Sequence, residues 1–121
     1  MAKPKARTEK PPKEKELTNE KLAALRKSIQ RTKRQADRAY ETYDYQKAVR
    51  LYSRALERLE EMDTTDPEAI RDSQILKYNL LSGRAACYKR QSDNNRQASD
   101  LEAMVRVAVS LDDIGLKVKA N

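Results

Sequence analysis

Apolar and small side chains recur at every third or fourth position through most of this chain, and that spacing constrains its fold more than any other feature. The first such segment begins at Thr18 or Asn19, either of which is a good N-cap, and ends near Tyr43 or Asp44. This spacing places side chains on one side of an α-helix, so we expect a buried stripe there. Its members are Leu22, Leu25, Ile29, Thr32, Ala36, Ala39 and Tyr43.

Three further segments show the same spacing and are separated by breaks that end helices. Asp44 is the expected N-cap of the second helix, and Asp66 with Pro67 marks the start of the third. Residues 92–95 interrupt the pattern before a fourth helix, which we expect to end at residues 112–113. Residues 114–121 are too few to form a stable helix of their own, so we expect them to be a tail. The expected buried stripes are Ala48, Leu51, Tyr52, Ala55, Leu56, Leu59 and Met62 in the second helix; Ile70, Leu76, Leu80, Leu81, Ala85 and Tyr88 in the third; and Ala98, Leu101, Met104, Val105, Ala108 and Leu111 in the fourth.

The composition favours an all-α fold. The 121 residues include no Phe, no Trp and only two Gly, and good helix formers dominate the remainder. A shift of about 49 residues aligns Ala36 with Ala85 and Asp44 with Asp93, which indicates an internal repeat of one helix pair. We therefore expect two stacked antiparallel helix pairs over residues 19–113, between a disordered basic arm (residues 1–18) and a short C-terminal tail (residues 114–121).

The positive charge of the chain is concentrated towards its N-terminus. Residues 1–36 hold 12 Lys or Arg against 4 Asp or Glu, whereas residues 37–121 hold 14 against 15. Residues 1–18 also carry Pro4, Pro11 and Pro12 and few apolar side chains, which predicts disorder. A basic arm on a near-neutral domain either contacts acidic partners or serves only as a solubilising tail, and the sequence leaves both readings open.

The sequence lacks the residues that most catalytic and metal sites need. Histidine is absent and Cys87 is the only cysteine, which removes the commonest general base and any structural zinc site. Gly83 and Gly115 are isolated, so no phosphate-binding loop is present. We therefore expect no catalytic residue, metal or cofactor, and predict that the protein is not an enzyme. A single cysteine, no secretory signal and no apolar run of membrane-spanning length predict a cytoplasmic protein without membrane contact.

Residues 36–56, ADRAYETYDYQKAVRLYSRAL, combine small residues, tyrosines and a tight turn in a distinctive order. This order resembles a tetratricopeptide repeat (TPR), in which small residues let two antiparallel helices approach closely and aromatic residues fill the space at their ends. Residues 83–88, GRAACY, and Asp93 resemble a second repeat more loosely, without the turn aromatic and with a spacing longer than the usual length of about 34 residues. The two units together are similar to the long-helix repeats of multi-repeat signalling proteins. The alternative to a repeat fold is a plain four-helix bundle or coiled coil, because every amphipathic helix shows the same apolar spacing. The matching positions of the first unit are Ala36, Tyr40, Asp44, Tyr45, Ala48, Tyr52, Ala55 and Leu56.

The resemblance implies a protein-binding scaffold. In TPR proteins the first helix of each pair lines a concave groove that holds an extended or helical peptide, so the expected partner is a protein or peptide. The alternative is that the corresponding positions here are only solvated helix positions. The resemblance implies that the groove-lining residues of this chain are Lys33, Asp37, Tyr40 and Glu41 in the first unit and Asn79, Ser82, Ala86, Lys89 and Arg90 in the second.

The sequence also allows two other kinds of interaction, with nucleic acid and with a second copy of the chain. A row of cations on the first helix, together with the basic arm, predicts sequence-independent binding to nucleic acid or to the ribosome as the alternative function. The last helix is expected to expose apolar residues where a further helix would pack, so the chain can form a homodimer through it. The cations are Arg26, Lys27, Arg31, Lys33 and Arg34, and the apolar residues of the last helix are Met104, Val105, Val107 and Val109.

Overall fold

The computed structural model describes residues 18–120, with side chains described up to residue 113, and over this range the chain is all α-helical. Four helices follow one another: α1 (Asn19–Glu41), α2 (Tyr45–Leu59), α3 (Pro67–Arg90) and α4 (Asn94–Ala120). The predicted fold class is confirmed. The arm predicted to be disordered lies outside the described residues, apart from Thr18. None of the described helices is long and apolar enough to cross a membrane.

The helix starts lie where the capping residues place them. The Thr18 hydroxyl accepts a hydrogen bond from the Lys21 amide, and the Asp44 carboxylate accepts one from the Lys47 amide, both at 3.2 Å. These bonds satisfy amide groups that have no partner within the first turn of a helix. At α3, Asp66 makes no side-chain capping bond, and Pro67 at the first position marks the start instead.

The two tight turns, between α1 and α2 and between α3 and α4, are built alike. Tyr43 (φ 66°) and Ser92 (φ 60°) both adopt the left-handed conformation that reverses the chain after a helix. The following amides close the turns, with Asp44 N donating to Ala39 O at 2.8 Å and Asp93 N donating to Tyr88 O at 2.9 Å. Tyr43 was expected in the buried stripe of α1, which is wrong: it belongs to the turn and is 78% exposed.

The core lies among α1, α2 and α3. The helices pack in sequence, α1 against α2, α2 against α3 and α3 against α4, with a narrow additional contact between α1 and α3. Ala36, Ala48 and Ala55 are completely buried, so α1 and α2 approach closely where their side chains are smallest. The buried cluster comprises Ile29, Ala36, Ala39, Ala48, Leu51, Tyr52, Ala55, Leu59, Leu76, Leu80 and Cys87.

Helix α4 departs from the sequence prediction in two respects. It continues through residues 112–113 to Ala120, whereas we expected it to close there. Its expected buried stripe is also largely on the outside, because Ala98, Leu101, Val105 and Ala108 are exposed while Asp100 and Val107 are each only 4% exposed. Apolar residues occupy two sides of this helix, so periodicity alone did not identify the side that α3 contacts.

A buried ion pair decides which side of α4 faces α3. Arg84 of α3 donates Nε to Asp100 Oδ2 at 2.9 Å and a terminal nitrogen to Asp100 Oδ1 at 2.7 Å. Its other terminal nitrogen donates to Ser53 Oγ of α2 at 3.0 Å. Hydrogen bonding to Asp100, which outweighs the opposing effect of burial, raises the pKa of the Arg84 guanidinium. One planar side chain thereby connects three helices, which a hydrophobicity pattern does not show.

Candidate functional site

A largely apolar depression lies between α3 and α4. It has a volume of about 520 Å³ and is open to solvent on one side. Val105 is 62% exposed, Val109 56% and Leu101 44%, values far above those of the core. We call this depression the α3–α4 surface, and it is lined by Tyr78, Leu101, Met104, Val105, Ala108, Val109 and Asp112.

The described side chains that line the α3–α4 surface are mostly apolar. The ionisable groups among these described residues are the Tyr78 hydroxyl and the Asp112 carboxylate. No group of three His, Cys, Asp or Glu side chains that could hold a metal ion occurs within the described part of the chain. An open apolar surface of this kind typically binds another protein. Met104, Val105 and Val109 were predicted from the sequence for this role, whereas Tyr78 was assigned no function. Val107 was predicted to be exposed with them, which is wrong: it is only 4% exposed, because it lies on the same buried side of α4 as Asp100.

The predicted groove residues of α1 are partly engaged within the domain. Lys33 Nζ lies 3.0 Å from Asp37 Oδ2, and Asp37 also accepts a hydrogen bond from the Tyr52 hydroxyl. Burial, followed by the hydrogen bond to Asp37, raises the pKa of the Tyr52 hydroxyl. Asp37 therefore has a structural role that the sequence did not indicate, and only Glu41 of the predicted α1 residues is exposed.

The predicted groove residues of α3 are more accessible. Asn79, Ser82, Lys89 and Arg90 are exposed and Ala86 is half-buried. Arg90 Nε donates to the Tyr40 hydroxyl at 3.3 Å, which brings one predicted residue of each unit together across the narrow contact between α1 and α3. This hydrogen bond raises the pKa of the Arg90 guanidinium.

The five cations of α1 that were predicted to bind nucleic acid fall into two groups. Four of them, together with Ala23 and Gln30, line a depression of about 500 Å³ on the exposed side of the helix, which we call the α1 basic surface. Lys33 was predicted with them but pairs with Asp37 instead. Within residues 18–113, none of the four forms an ion pair with a carboxylate. The four are Arg26, Lys27, Arg31 and Arg34.

Cys87 is completely buried in the core, and its thiol is free. Burial raises the pKa of the Cys87 thiol from its ordinary value of 9.0 to about 11, and the Asp37 carboxylate adds to the effect. A neutral, solvent-excluded thiol is a poor nucleophile and a poor metal ligand. Cys87 therefore packs as a small core residue.

The chain has no significant match to a protein-family model, a curated protein or a solved structure. What is established is a four-helix all-α domain with paired helices, and its resemblance to TPR proteins stays a prediction. The surfaces of this domain are therefore the guide to its function.

Proposed function

We propose that this domain is a non-catalytic protein-interaction module that binds a helix or peptide of a protein partner through the α3–α4 surface. The observation that carries the proposal is the exposure of Leu101, Val105 and Val109 side by side on one helix. Folded domains rarely leave such side chains together in water, because covering them is favourable by about 25 cal/mol for every Å² buried.

Polar residues next to the apolar depression would supply specificity. Ser82 and Lys89 follow Tyr78 on α3 at positions i+4 and i+11, so they lie on the same side of the helix and are exposed. These two belong to the groove set expected from the sequence. The α1 residues of that set would contact only a partner long enough to extend towards α1.

A TPR-like identity is part of the same proposal. It is supported by the two turns, whose left-handed residues Tyr43 and Ser92 and whose caps Asp44 and Asp93 are each 49 positions apart. We also propose a reducing compartment such as the cytoplasm, because the one cysteine of the chain is a free, buried thiol.

The proposal is tested by comparing two charge insertions on α4. Val105→Asp introduces a carboxylate into the α3–α4 surface, whereas Ser99→Asp adds the same charge at an exposed position that does not line it. Proteins retained by the full chain from its native lysate should be lost with Val105→Asp and kept with Ser99→Asp. Equal retention by both variants would show that the α3–α4 surface is not the binding site.

A second candidate function is electrostatic binding of a polyanion such as RNA along the α1 basic surface. The specific observation is that Arg26, Lys27, Arg31 and Arg34 share one depression and have no carboxylate partner among the described residues. Phosphate binding requires little more than such a set of cations, and its affinity falls steeply with salt.

This candidate is tested by titrating single-stranded RNA at several salt concentrations. Arg31→Glu combined with Arg34→Glu should weaken binding, and the slope of log affinity against log salt should become shallower by about 0.7 for each phosphate that is no longer neutralised. Arg50→Glu combined with Arg54→Glu, at two exposed cations of α2, is the matched control and should change neither. Absence of RNA binding by the full chain at about 150 mM salt would exclude this function.

A further inference from the structure

The α3–α4 surface corresponds, position by position, to a surface of the first helix pair that is largely buried: of its seven residues only Glu60 and Asp63 are exposed. A shift of 49 positions places Leu101 on Tyr52, Val105 on Leu56 and Tyr78 on Ile29. Ile29 is completely buried and Tyr52 is 3% exposed, whereas Tyr78 is 37% and Leu101 44% exposed. The remaining lining residues Met104, Ala108, Val109 and Asp112 correspond to Ala55, Leu59, Glu60 and Asp63.

Helix α3 covers the buried counterpart. The Tyr52 ring lies against Gly83 so closely that a Cβ on this glycine would be 2.5 Å from Tyr52 Cζ. Leu56 and Leu59 of α2 line one cavity together with Ser73 and Lys77 of α3, so these residues lie opposite one another. In the second helix pair no described helix occupies the equivalent position against α4.

The side of α3 that packs towards α2 shows what kind of helix fits such a position. Its apolar or small residues are Leu76, Leu80, Gly83 and Cys87, a spacing of i, i+4, i+7 and i+11. Each of two of these residues is followed by a basic residue: Lys77 follows Leu76, and Arg84 follows Gly83. Lys77 lines the same cavities as Glu60, and Arg84 donates to Ser53.

The charges around the α3–α4 surface suit a helix with the same basic flank. Ser53 corresponds to Glu102 in the second helix pair, and Asp112 lines the depression itself. Acidic residues outnumber basic ones among the described α4 side chains that form no ion pair: Glu102, Asp112 and Asp113 against Arg106. A second copy of α4 would add acidic residues to an acidic surface. The sequence of residues 1–17 has three prolines and lacks the apolar spacing that such a helix requires.

We propose that the occupant of the α3–α4 surface is an amphipathic helix of a protein partner, packed against α4 as α3 packs against α2. It carries apolar or small residues at i, i+4, i+7 and i+11 and basic residues at i+1 and i+8. This inference rests on the proposed function and specifies the partner. In the complex the basic residue at i+8 lies beside Glu102, because Arg84 lies beside Ser53.

A fluorescent peptide with the sequence of residues 67–90 provides the probe, because it contains the required spacing and both cations. Added to the full chain, it should bind with micromolar affinity. Val105→Asp in the full chain should weaken binding roughly tenfold or more, and Ser99→Asp should not. A peptide carrying Lys77→Glu and Arg84→Glu should lose a similar factor. Equal binding of the two peptides would overturn the basic part of the proposal.

The register of the complex is a second, independent readout. A peptide with Tyr88→Cys and Cys87→Ser keeps Arg84 and carries a nitroxide spin label at position 88, one helical turn away, and the full chain is observed by amide NMR. The amide of Glu102 should be among the most strongly broadened signals of α4. Broadening confined to α2, as expected if the peptide displaced α3, would overturn the proposal.

The outcomes separate this inference from the proposed function. If the peptide fails to bind while a lysate partner still depends on Val105, the interaction surface is correct and the occupant is wrong. If sedimentation shows a dimer of the full chain that Val105→Asp dissociates, the occupant is a second copy. If neither the peptide nor any lysate protein depends on Val105, both proposals fail.

Discussion

Gly83 allows α3 to approach α2 closely, because the space that a side chain would need at this position is filled by Tyr52. A Cβ at this position would lie 2.5 Å from Cζ and 2.7 Å from Cε1 of Tyr52. The Tyr52 ring has little freedom to move aside, since it is 3% exposed and its hydroxyl is bonded to Asp37. The glycine therefore weakens α3 as an isolated helix but permits the contact between the two helix pairs.

Gly83→Ala should lower the free energy of unfolding, although alanine is the better helix former. Overpacking costs about 1–3 kcal/mol, and the 2.5 Å approach to the confined Tyr52 ring places this substitution in the upper part of that range, above the gain of about 1 kcal/mol in helix propensity. In a Tyr52→Leu background the ring is absent and the same substitution should become stabilising. Urea unfolding of the four variants measures both effects, and an unchanged sign in the two backgrounds would contradict the contact.

Cys87 and Tyr52 should make the domain less stable in alkali. Burial raises the pKa of the Cys87 thiol from 9.0 to about 11 and raises that of the Tyr52 hydroxyl as well. The unfolded chain therefore releases these protons at lower pH than the folded domain, so stability falls as pH rises. For Cys87 the loss should begin near pH 9 and continue to about pH 11, where it amounts to about 2 kcal/mol.

Urea unfolding at several pH values checks this expectation. Cys87→Ala should lower stability at neutral pH through the cavity it leaves, yet it should reduce the decline between about pH 9 and pH 11. Tyr52→Phe should reduce the decline above pH 10. Identical pH profiles for the wild type and both variants would show that neither group is shielded in the folded domain.

At the scale of helices, Arg84 fixes the position of α4. Arg84→Met should cost about 3–5 kcal/mol of stability, because it leaves the Asp100 carboxylate buried without a partner. Replacing both residues, as Arg84→Met with Asp100→Leu, should cost clearly less than the sum of the single changes. A double-mutant cycle from chemical denaturation measures this coupling, and additive costs would mean that the pair contributes nothing beyond its separate members.

The helices and turns could be predicted where local chemistry decides them. Asp44 and Pro67 mark helix starts in the sequence and in the structure alike, because capping and a fixed φ depend on only a few neighbouring residues. The orientation of α4 could not be predicted, because both its buried and its exposed sides are apolar and the choice between them depends on Arg84, far away in sequence. Tyr43 was misplaced for a similar reason, since the apolar spacing of α1 runs past the end of the helix into the turn.

The candidate site was predicted in part. Val105 and Val109 were expected on an uncovered last helix, and the structure shows both exposed. The peptide groove was expected along α1 and α3, but Asp37 and Lys33 are bonded within the domain, which the sequence did not reveal because the Tyr52 hydroxyl reaches Asp37 from α2. The binding roles of these residues stay predictions.

At the scale of the whole molecule, folding and the proposed binding involve different sides of α4. The main buried cluster lies among α1, α2 and α3, and α4 packs against α3 with Val107 buried and Asp100 paired with Arg84. Leu101 and Val105 contribute little to this packing, because they are 44% and 62% exposed. Substitutions on the two sides of this one helix should therefore separate stability from partner binding.

Val105→Asp and Val107→Asp, two positions apart, test that separation. Val105→Asp should change the free energy of unfolding by no more than about 0.5 kcal/mol, as an exposed substitution does, while abolishing partner binding. Val107→Asp places an unpaired carboxylate at a position 4% exposed, so it should cost about 3 kcal/mol or more. Denaturant unfolding of both variants decides the matter. If Val105→Asp proved as destabilising as Val107→Asp, its side of α4 would belong to the core, and any loss of binding would follow from unfolding rather than from a damaged surface.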